Sequence, residues 1–219
     1  MIKIAEIVEE IVKQKPFLEQ SISEGLINAT ALARQIQPQI EHRLGKPVQT
    51  GAIVMAIKRM PLHPSIHLQK NIAALRDNLH DFTIRSRLAI FSYRNAPTIM
   101  EKQARLAQQA RADEDIFYTF SRGLQESTLV ISQHMQQTVE HIFEGEKLKW
   151  HGTRMSAITI KLKAENTTTP GLYYHILKLI AWHNINISEV ISTTNEFTLI
   201  MKQNYINDAF RAFSEFMDA

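Results

Sequence analysis

The sequence predicts an α+β protein in which an N-terminal helical domain precedes two ferredoxin-like units. Residues up to about 62 show only helical periodicity, and beyond residue 82 an order of strand, helix, strand, strand and helix occurs twice. That order produces an antiparallel sheet with helices packed on one face. The predicted domains are residues 1–64 (helical), 65–81 (a linker helix), 82–150 (first unit) and 151–219 (second unit).

The N-terminal domain contains signals for four helices. Pro16 suits the first turn of a second helix, which Gly25 ends. Asn28 is a plausible N-cap for a third helix over residues 29–36, and Gln49 or Thr50 for a fourth. The first helix is predicted from an apolar face with three- and four-residue spacing, formed by Ile4, Ile7, Val8, Ile11 and Val12.

The linker helix has an apolar stripe, which we interpret as a packing face or a dimer seam. Its members are Leu68, Ile72, Leu75 and Leu79.

The two repeats are predicted from hydrophobic periodicity and turn residues. Two copies of one unit, each near seventy residues, favour duplication. The second copy lacks a fourth strand, so its sheet edge needs cover from another chain or from the first unit. In the first repeat we predict strands at 88–91, 116–120 and 128–132 and helices at 98–111 and 135–143. In the second we predict strands at 156–162, 187–191 and 197–201 and helices at 171–183 and 205–217.

Composition excludes several classes of protein. The chain has 219 residues, a formal charge of +3 and no cysteine, which rules out disulfides and thiolate chemistry. No run of about 18 apolar residues occurs, so we expect a cytoplasmic protein without a membrane span. None of the seven glycines belongs to a phosphate-binding loop, and no serine nucleophile elbow occurs. We therefore expect a non-catalytic protein that needs no cofactor and no metal.

The turn before the first helix of the second repeat is the predicted ligand site. Pro170 fixes the backbone, Gly171 permits close approach, and unpaired N–H groups at the helix start favour a carboxylate. Asn186 offers both a donor and an acceptor to an ammonium group. The alternative is that these residues only form turns. The predicted ligand-binding residues are Thr168, Thr169, Pro170, Gly171, Leu172, Asn186 and Ile187.

Residues 169–201 resemble an ACT domain, the ligand-sensing module of many enzymes of amino-acid biosynthesis. The resemblance depends on the Thr169–Leu172 turn, on residues 183–187, and on residues 190–199, which are similar to the regulatory region of aspartate kinases. It implies an amino-acid ligand, such as lysine or threonine, at the interface of a homodimer or higher oligomer. Thr168 departs from the acidic residue that is frequent two positions before the proline, and Asn95–Thr98 of the first repeat lacks the glycine, so we expect that unit to be degenerate.

Basic residues in the helical domain suggest a nucleic-acid surface. Residues 28–34 and 51–59 are similar to the helix-turn-helix segments of regulators that also carry ACT domains. In that interpretation Gln49 and Thr50 read bases, and Lys58 and Arg59 contact phosphates together with Arg34. The alternative is a helical bundle with an ordinary solvated basic face.

Together these features predict an amino-acid-sensing allosteric regulator of amino-acid metabolism, which acts on transcription through DNA. The alternative is a free-standing regulatory subunit that docks on a biosynthetic enzyme such as aspartate kinase.

Overall fold

The computed structural model describes residues 3–60, 81–111, 113, 115–162 and 171–218. The chain divides into two compact units, Met1–Ala73 and Ala74–Ala219. The predicted linker helix over residues 65–81 lies, apart from Asp81, outside the described residues. No helix in the described ranges is long and apolar enough to cross a membrane.

The N-terminal unit is helical, as the periodicity predicts. Its helices share one core, because each contributes apolar residues to it at helical spacing. The helices are α1 (Ile4–Lys13), α2 (Pro16–Ser23), α3 (Ala29–Leu44) and α4 (Thr50–Arg59). Their fully buried residues include Ile7, Val8, Ile11, Val12, Ala33, Ile36, Ile40, Ile53 and Ile57.

Helix α3 begins where the sequence predicts but ends eight residues later. The Asn28 side chain accepts hydrogen bonds from the backbone N–H groups of Thr30 and Ala31, at 2.9 and 3.1 Å, so the predicted N-cap is confirmed. The predicted end near residue 36 is wrong because the helix continues through Pro38 and ends at Gly45, in a left-handed conformation. Burial of the turn beyond the proline offsets the lost backbone hydrogen bond.

The C-terminal unit contains the predicted order of strand, helix, strand, strand and helix twice. The first occurrence comprises β1 (Phe82–Arg94), α5 (Ile99–Ala110), β2 (Tyr118–Arg122), β3 (Glu126–Ser132) and α6 (Gln136–Ile142). The second comprises β4 (Leu148–Lys161), α7 (Leu172–Trp182), β5 (Ile187–Ser192), β6 (Glu196–Lys202) and α8 (Ile206–Asp218).

All six strands form one antiparallel sheet in the order β2-β3-β1-β4-β6-β5. The two central strands are much longer than predicted, because each serves both halves of the sheet. Residues 88–94 of β1 pair with β3, whereas residues 82–85 pair only with β4 and border the second half. Strand β4 has the opposite arrangement. Its residues 155–161 pair with β6, whereas the residues before them pair only with β1 and border the first half. The first half therefore covers the edge of the second, and the predicted boundary at residue 150 falls inside β4.

Three irregularities interrupt the pairing of β1 with β4, and two of them lie on either side of the pair Leu88–Met155. One lies at Arg87 (φ 59°) and the other at Arg154 (φ 53°), both with left-handed backbone. Each inserts an extra residue into its strand, as a β-bulge does. A bulge increases the local twist of a sheet, so the two halves turn relative to each other at this point.

The helices cover one face of the sheet, and apolar strand residues also fill the opposite face. On that face Leu88, Ile90, Met155 and Ile200 are almost fully buried, although the cluster they form contains no helix residue within the described part of the chain. Phe117, which precedes β2, packs against this cluster from the side. The sheet is therefore curled, and its helix-free face forms a second core, which we call the concave cluster.

We predict that Leu88→Ala lowers the free energy of unfolding of the C-terminal unit by roughly 2–5 kcal/mol. Leu88 is 0% exposed and belongs to a strand that both halves share, so the loss should shift a single transition. Both tryptophans, Trp150 and Trp182, lie in this unit, and their fluorescence during urea unfolding provides the measurement. The control is Ile84→Ala in the same strand, where the side chain is 44% exposed and the cost should be about 1 kcal/mol or less. Two separate transitions, or equal losses in both variants, would contradict the shared-strand arrangement.

Candidate ligand-binding sites

The start of helix α7 has the open backbone that the sequence predicts. Gly171 is its N-cap with φ 83°, and a Cβ atom placed there would meet no atom of the described residues within 4 Å. The Tyr173 ring stacks on Phe197 with 4.5 Å between centroids, and its hydroxyl lies 2.8 Å from that of Ser192. The helix start is thereby held against the ends of β5 and β6.

The other residues of the predicted site are in different surroundings. Thr168, Thr169 and Pro170 lie outside the described residues. The Leu172 side chain is buried in the core between α7 and the sheet, so it is not available to a ligand. Ile187 is half-buried and packs against the same core. Asn186 is exposed and directly precedes β5.

Within one chain, the structure does not bring Gly171 and Asn186 together. Gly171 precedes α7 and Asn186 follows it, and eleven helical residues separate the two ends by about 16 Å. The chain crosses the sheet along this helix, so the two residues lie at opposite ends of the strands. A site that uses both would need a second copy of the chain, as the predicted subunit interface implies.

The helix-free face contains a groove that the sequence did not predict. A row of side chains crosses four strands in register, from Thr83 on β1 to Thr159 on β4, Thr198 on β6 and Ile191 on β5. The hydroxyls of Thr159 and Thr198 are 2.8 Å apart and hydrogen-bonded. Above this hydroxyl-bearing floor the groove has a volume of about 370 Å³, within the range of small-molecule sites.

The wall of the groove is the segment before β2, and Arg85 holds it in place. The Arg85 guanidinium donates a hydrogen bond to the backbone carbonyl of Asp115 and lies 6.0 Å from the centre of the Phe117 ring. The lining continues through Ile116 to Thr119. Residues from both halves of the sheet therefore meet at this groove. A guanidinium has five N–H donors, and the carbonyl of Asp115 uses one of them.

Opposite charges lie at the two ends of the hydroxyl row. Arg85 is two residues from Thr83, and Glu196 is two residues from Thr198 on the same face. Lys161 is the cross-strand neighbour of Glu196 in the register. Glu189 on β5 is half-buried, and this burial raises the pKa of its carboxyl above the ordinary value. The groove thus combines a cation, a carboxylate, hydroxyls and an apolar wall.

The predicted DNA-contacting residues all lie in the helical unit, and they differ in how exposed their side chains are. Arg34, Lys58 and Arg59 are exposed on α3 and α4, and Gln49 is the exposed N-cap of α4. Thr50 is half-buried, and its hydroxyl donates to the Gln37 side chain at 2.9 Å. The Thr50 hydroxyl proton therefore already has a partner inside the unit.

Comparison with known proteins shows a shared fold and no close relative. No protein family and no curated protein matches the sequence. Solved structures do match. The Clostridium acetobutylicum aspartate kinase has a TM-score of 0.52 at 10% identity, over 64% of this chain and 35% of that enzyme. The regulatory subunit of Thermus thermophilus aspartate kinase, in its ligand-free form, has a TM-score of 0.50 at 15% identity, over 63% of this chain and 97% of that subunit.

A third match is E. coli aspartokinase III, solved in complex with lysine and aspartate. Its TM-score is 0.50 at 7% identity, over 65% of this chain and 34% of that enzyme. The chain therefore spans about a third of the kinases it matches and nearly the whole of the separate regulatory subunit. The matched share is close in size to the C-terminal unit. This protein has an ACT-like fold, similar to the regulatory regions of aspartate kinases.

Proposed function

We propose that this protein is a non-catalytic, amino-acid-sensing regulator, and that its ligand binds in the groove of the helix-free face. The observation that carries the proposal is the row of threonine hydroxyls with Arg85 at one end and Glu196 at the other. A free amino acid carries one carboxylate and at least one ammonium group. A site with opposite charges and hydrogen-bonding groups between them satisfies both.

The groove favours an amino acid with a distant second ammonium group. The ligand carboxylate would accept charge-assisted hydrogen bonds from the free N–H groups of Arg85. Arg85 and Glu196 are on strands separated by β4 and lie four residues apart along the register, so a side-chain ammonium reaches Glu196 better than an α-ammonium does. The ligand's methylene groups would pack on Phe117 and Ile191. Lysine has this arrangement, and threonine does not.

The similarity of fold to the regulatory regions of aspartate kinases also supports an amino-acid ligand. Separate regulatory subunits with this fold occur for aspartate kinases, and the kinase solved with lysine and aspartate shows the fold in an enzyme that binds amino acids. Since the likeness is one of fold, the ligand is proposed from the groove itself.

Regulation would follow from differential affinity. The groove draws residues from both halves of the curled sheet, so a small change in curl alters the distance between its walls. A ligand that binds one conformation of the sheet more tightly than another shifts the population toward that conformation. The difference in binding free energy between the two conformations is the free energy available to act on the helical unit.

We predict that lysine binds the full-length protein with measurable heat, and that Arg85→Gln or Thr159→Val weakens binding. Removing the charge-assisted hydrogen bonds of Arg85 should cost about 1.5–3 kcal/mol, or roughly tenfold or more in affinity. Isothermal titration with lysine, threonine and the other amino acids provides the measurement. Arg105→Gln, an exposed arginine on α5, is the charge-matched control and should bind normally.

A second control separates the groove from the Gly171 turn. Gly171→Ala strains a left-handed position at a cost of about 1–2 kcal/mol in stability, but it should leave lysine affinity unchanged if the groove is the site. Weaker lysine binding in Gly171→Ala, with normal binding in Arg85→Gln, would show that the turn is the site. If no amino acid gives a heat of binding, the sensor proposal is wrong.

We propose that the helical unit carries out the regulatory response to the ligand by binding DNA. Arg34, Lys58 and Arg59 are exposed, and none belongs to an ion pair among the described residues. Phosphate contacts of this kind give affinity that falls steeply with salt. The alternative output is docking on a biosynthetic enzyme, which an apolar groove of the same unit supports. That groove has a volume of about 370 Å³ and includes Ile4, Ala52, Met55 and Met60.

We predict that the protein retards genomic DNA fragments at low salt, and that changing Arg34, Lys58 and Arg59 together to glutamine abolishes the shift. Gel-shift titrations at increasing salt provide the measurement. If no fragment is retarded at low salt, the DNA output is wrong. A stoichiometric biosynthetic enzyme bound to the full-length protein would then support docking.

We also propose that the protein acts in the cytoplasm as a homodimer. Helix α7 exposes several large apolar side chains, among them Tyr174, Leu177 and Trp182, which is 75% exposed. Large exposed apolar patches are typical of interaction surfaces.

A further inference from the structure

Two bulges of the central strand pair each place an arginine in the left-handed backbone conformation. Arg87 has φ 59° and Arg154 has φ 53°. This conformation costs a residue with a Cβ atom roughly 1–2 kcal/mol, and glycine or asparagine usually occupies it. The bulge itself needs only the backbone. The use of arginine at two equivalent positions therefore indicates a role for the guanidinium groups.

These two arginines line one open surface cavity with two equivalent glutamines, and all of its lining residues except Gln133 are exposed. The cavity has a volume of about 460 Å³, and its lining is Arg87, Gln133, His134, Arg154 and Gln203. Gln133 directly follows β3, and Gln203 directly follows β6, so the pair repeats the internal symmetry of the sheet. The backbone N–H of Arg154 donates to the Gln133 side-chain oxygen at 3.4 Å. The cavity thus has an approximate two-fold arrangement of one arginine and one glutamine from each half.

The charge of this cavity is positive and little compensated. Lys202 lines an adjoining cavity that shares Arg154 and Gln203. Among the described residues, one carboxylate lies within 4.0 Å of an ionisable group of the lining. It belongs to Asp113, and its oxygen is 3.9 Å from His134 Nε2. Among the residues with described positions, no carboxylate lies within 4.0 Å of the guanidinium groups of Arg87 and Arg154 or of the Lys202 ammonium.

We propose that this cavity binds a small oxyanion with at least two negative charges, either a phosphate or a dicarboxylate. A guanidinium offers a planar pair of N–H donors that matches carboxylate and phosphate oxygens. Two such groups, one from each half, suit a ligand with two anionic groups or one phosphate. The glutamine amides supply further donors, and the cavity volume lies within the range of small-molecule sites.

The location gives such a ligand a structural effect. The cavity lies at the bulges, where each long strand passes from one half of the sheet to the other. An anion bound to arginines of both halves would stabilise the folded C-terminal unit by mass action. It shares no lining residue with the groove of the helix-free face, so each site can be altered by substitutions that leave the side chains of the other in place.

The test uses the full-length protein with pyrophosphate and succinate as probes, at a fixed ionic strength. We expect saturable binding of at least one probe in calorimetry, together with a raised unfolding temperature. In the double variant Arg87→Gln, Arg154→Gln, each lost charge-assisted contact should weaken binding by roughly tenfold or more. Glutamine retains a Cβ atom, so the backbone strain is unchanged. The matched control is Arg105→Gln, Arg111→Gln, which removes the same charge from α5 and its C-terminus and should bind as the wild type does.

Three results would overturn the proposal. They are no saturable binding of either probe, unchanged binding in the Arg87 and Arg154 double variant, and equal weakening in both double variants, which would reflect net charge alone. Lysine titrations of the same variants keep this test separate from that of the sensor function, since lysine binding in the groove requires neither arginine.

Discussion

The antiparallel pairing of β1 with β4 is the interaction on which the C-terminal unit depends. Each strand supplies the first strand of its own half and borders the other half with its remaining residues. The two halves therefore cannot fold as separate domains without exposing a sheet edge. The concave cluster adds to this dependence, because Leu88 and Ile90 come from one half and Met155 and Ile200 from the other.

The same pairing creates the two candidate binding sites. On the helix-free face, the curl of the sheet brings the segment before β2 against strands of the second half, and the groove lies between them. At the bulges, the change of register places Arg87 and Arg154 around one cavity. A ligand in either proposed site would contact both halves. Binding at either site would therefore be coupled to the geometry of the sheet, as the proposed sensor function requires.

Local patterns in the sequence predict most elements but not their extent. The alternation in residues 156–162 and the helical spacing in α1 and α8 follow from burial on one face, so they are visible in the sequence. The long strands are not, since a bulge at Arg87 or Arg154 adds a residue and interrupts the two-residue period. Helix α3 continues past its predicted end near residue 36, because packing beyond Pro38 outweighs the local cost of a proline within a helix.

The candidate site was less predictable for a topological reason. Thr83, Thr159 and Thr198 are far apart in the sequence and become neighbours only through the register of three strands. Conversely, Gly171 and Asn186 are close in the sequence, but a helix separates them. The glycine at position 171 is visible in the sequence, but the groups that lie near it depend on the tertiary structure.

The most direct test of the sensor account is nuclear magnetic resonance of the full-length protein with labelled threonine methyl groups, recorded with and without saturating lysine. If lysine binds in the groove, the signals of Thr83, Thr159 and Thr198 shift together. Thr30 and Thr50 of the helical unit serve as references. Shifts confined to other threonines, with the three groove signals unchanged at saturation, would contradict the sensor account.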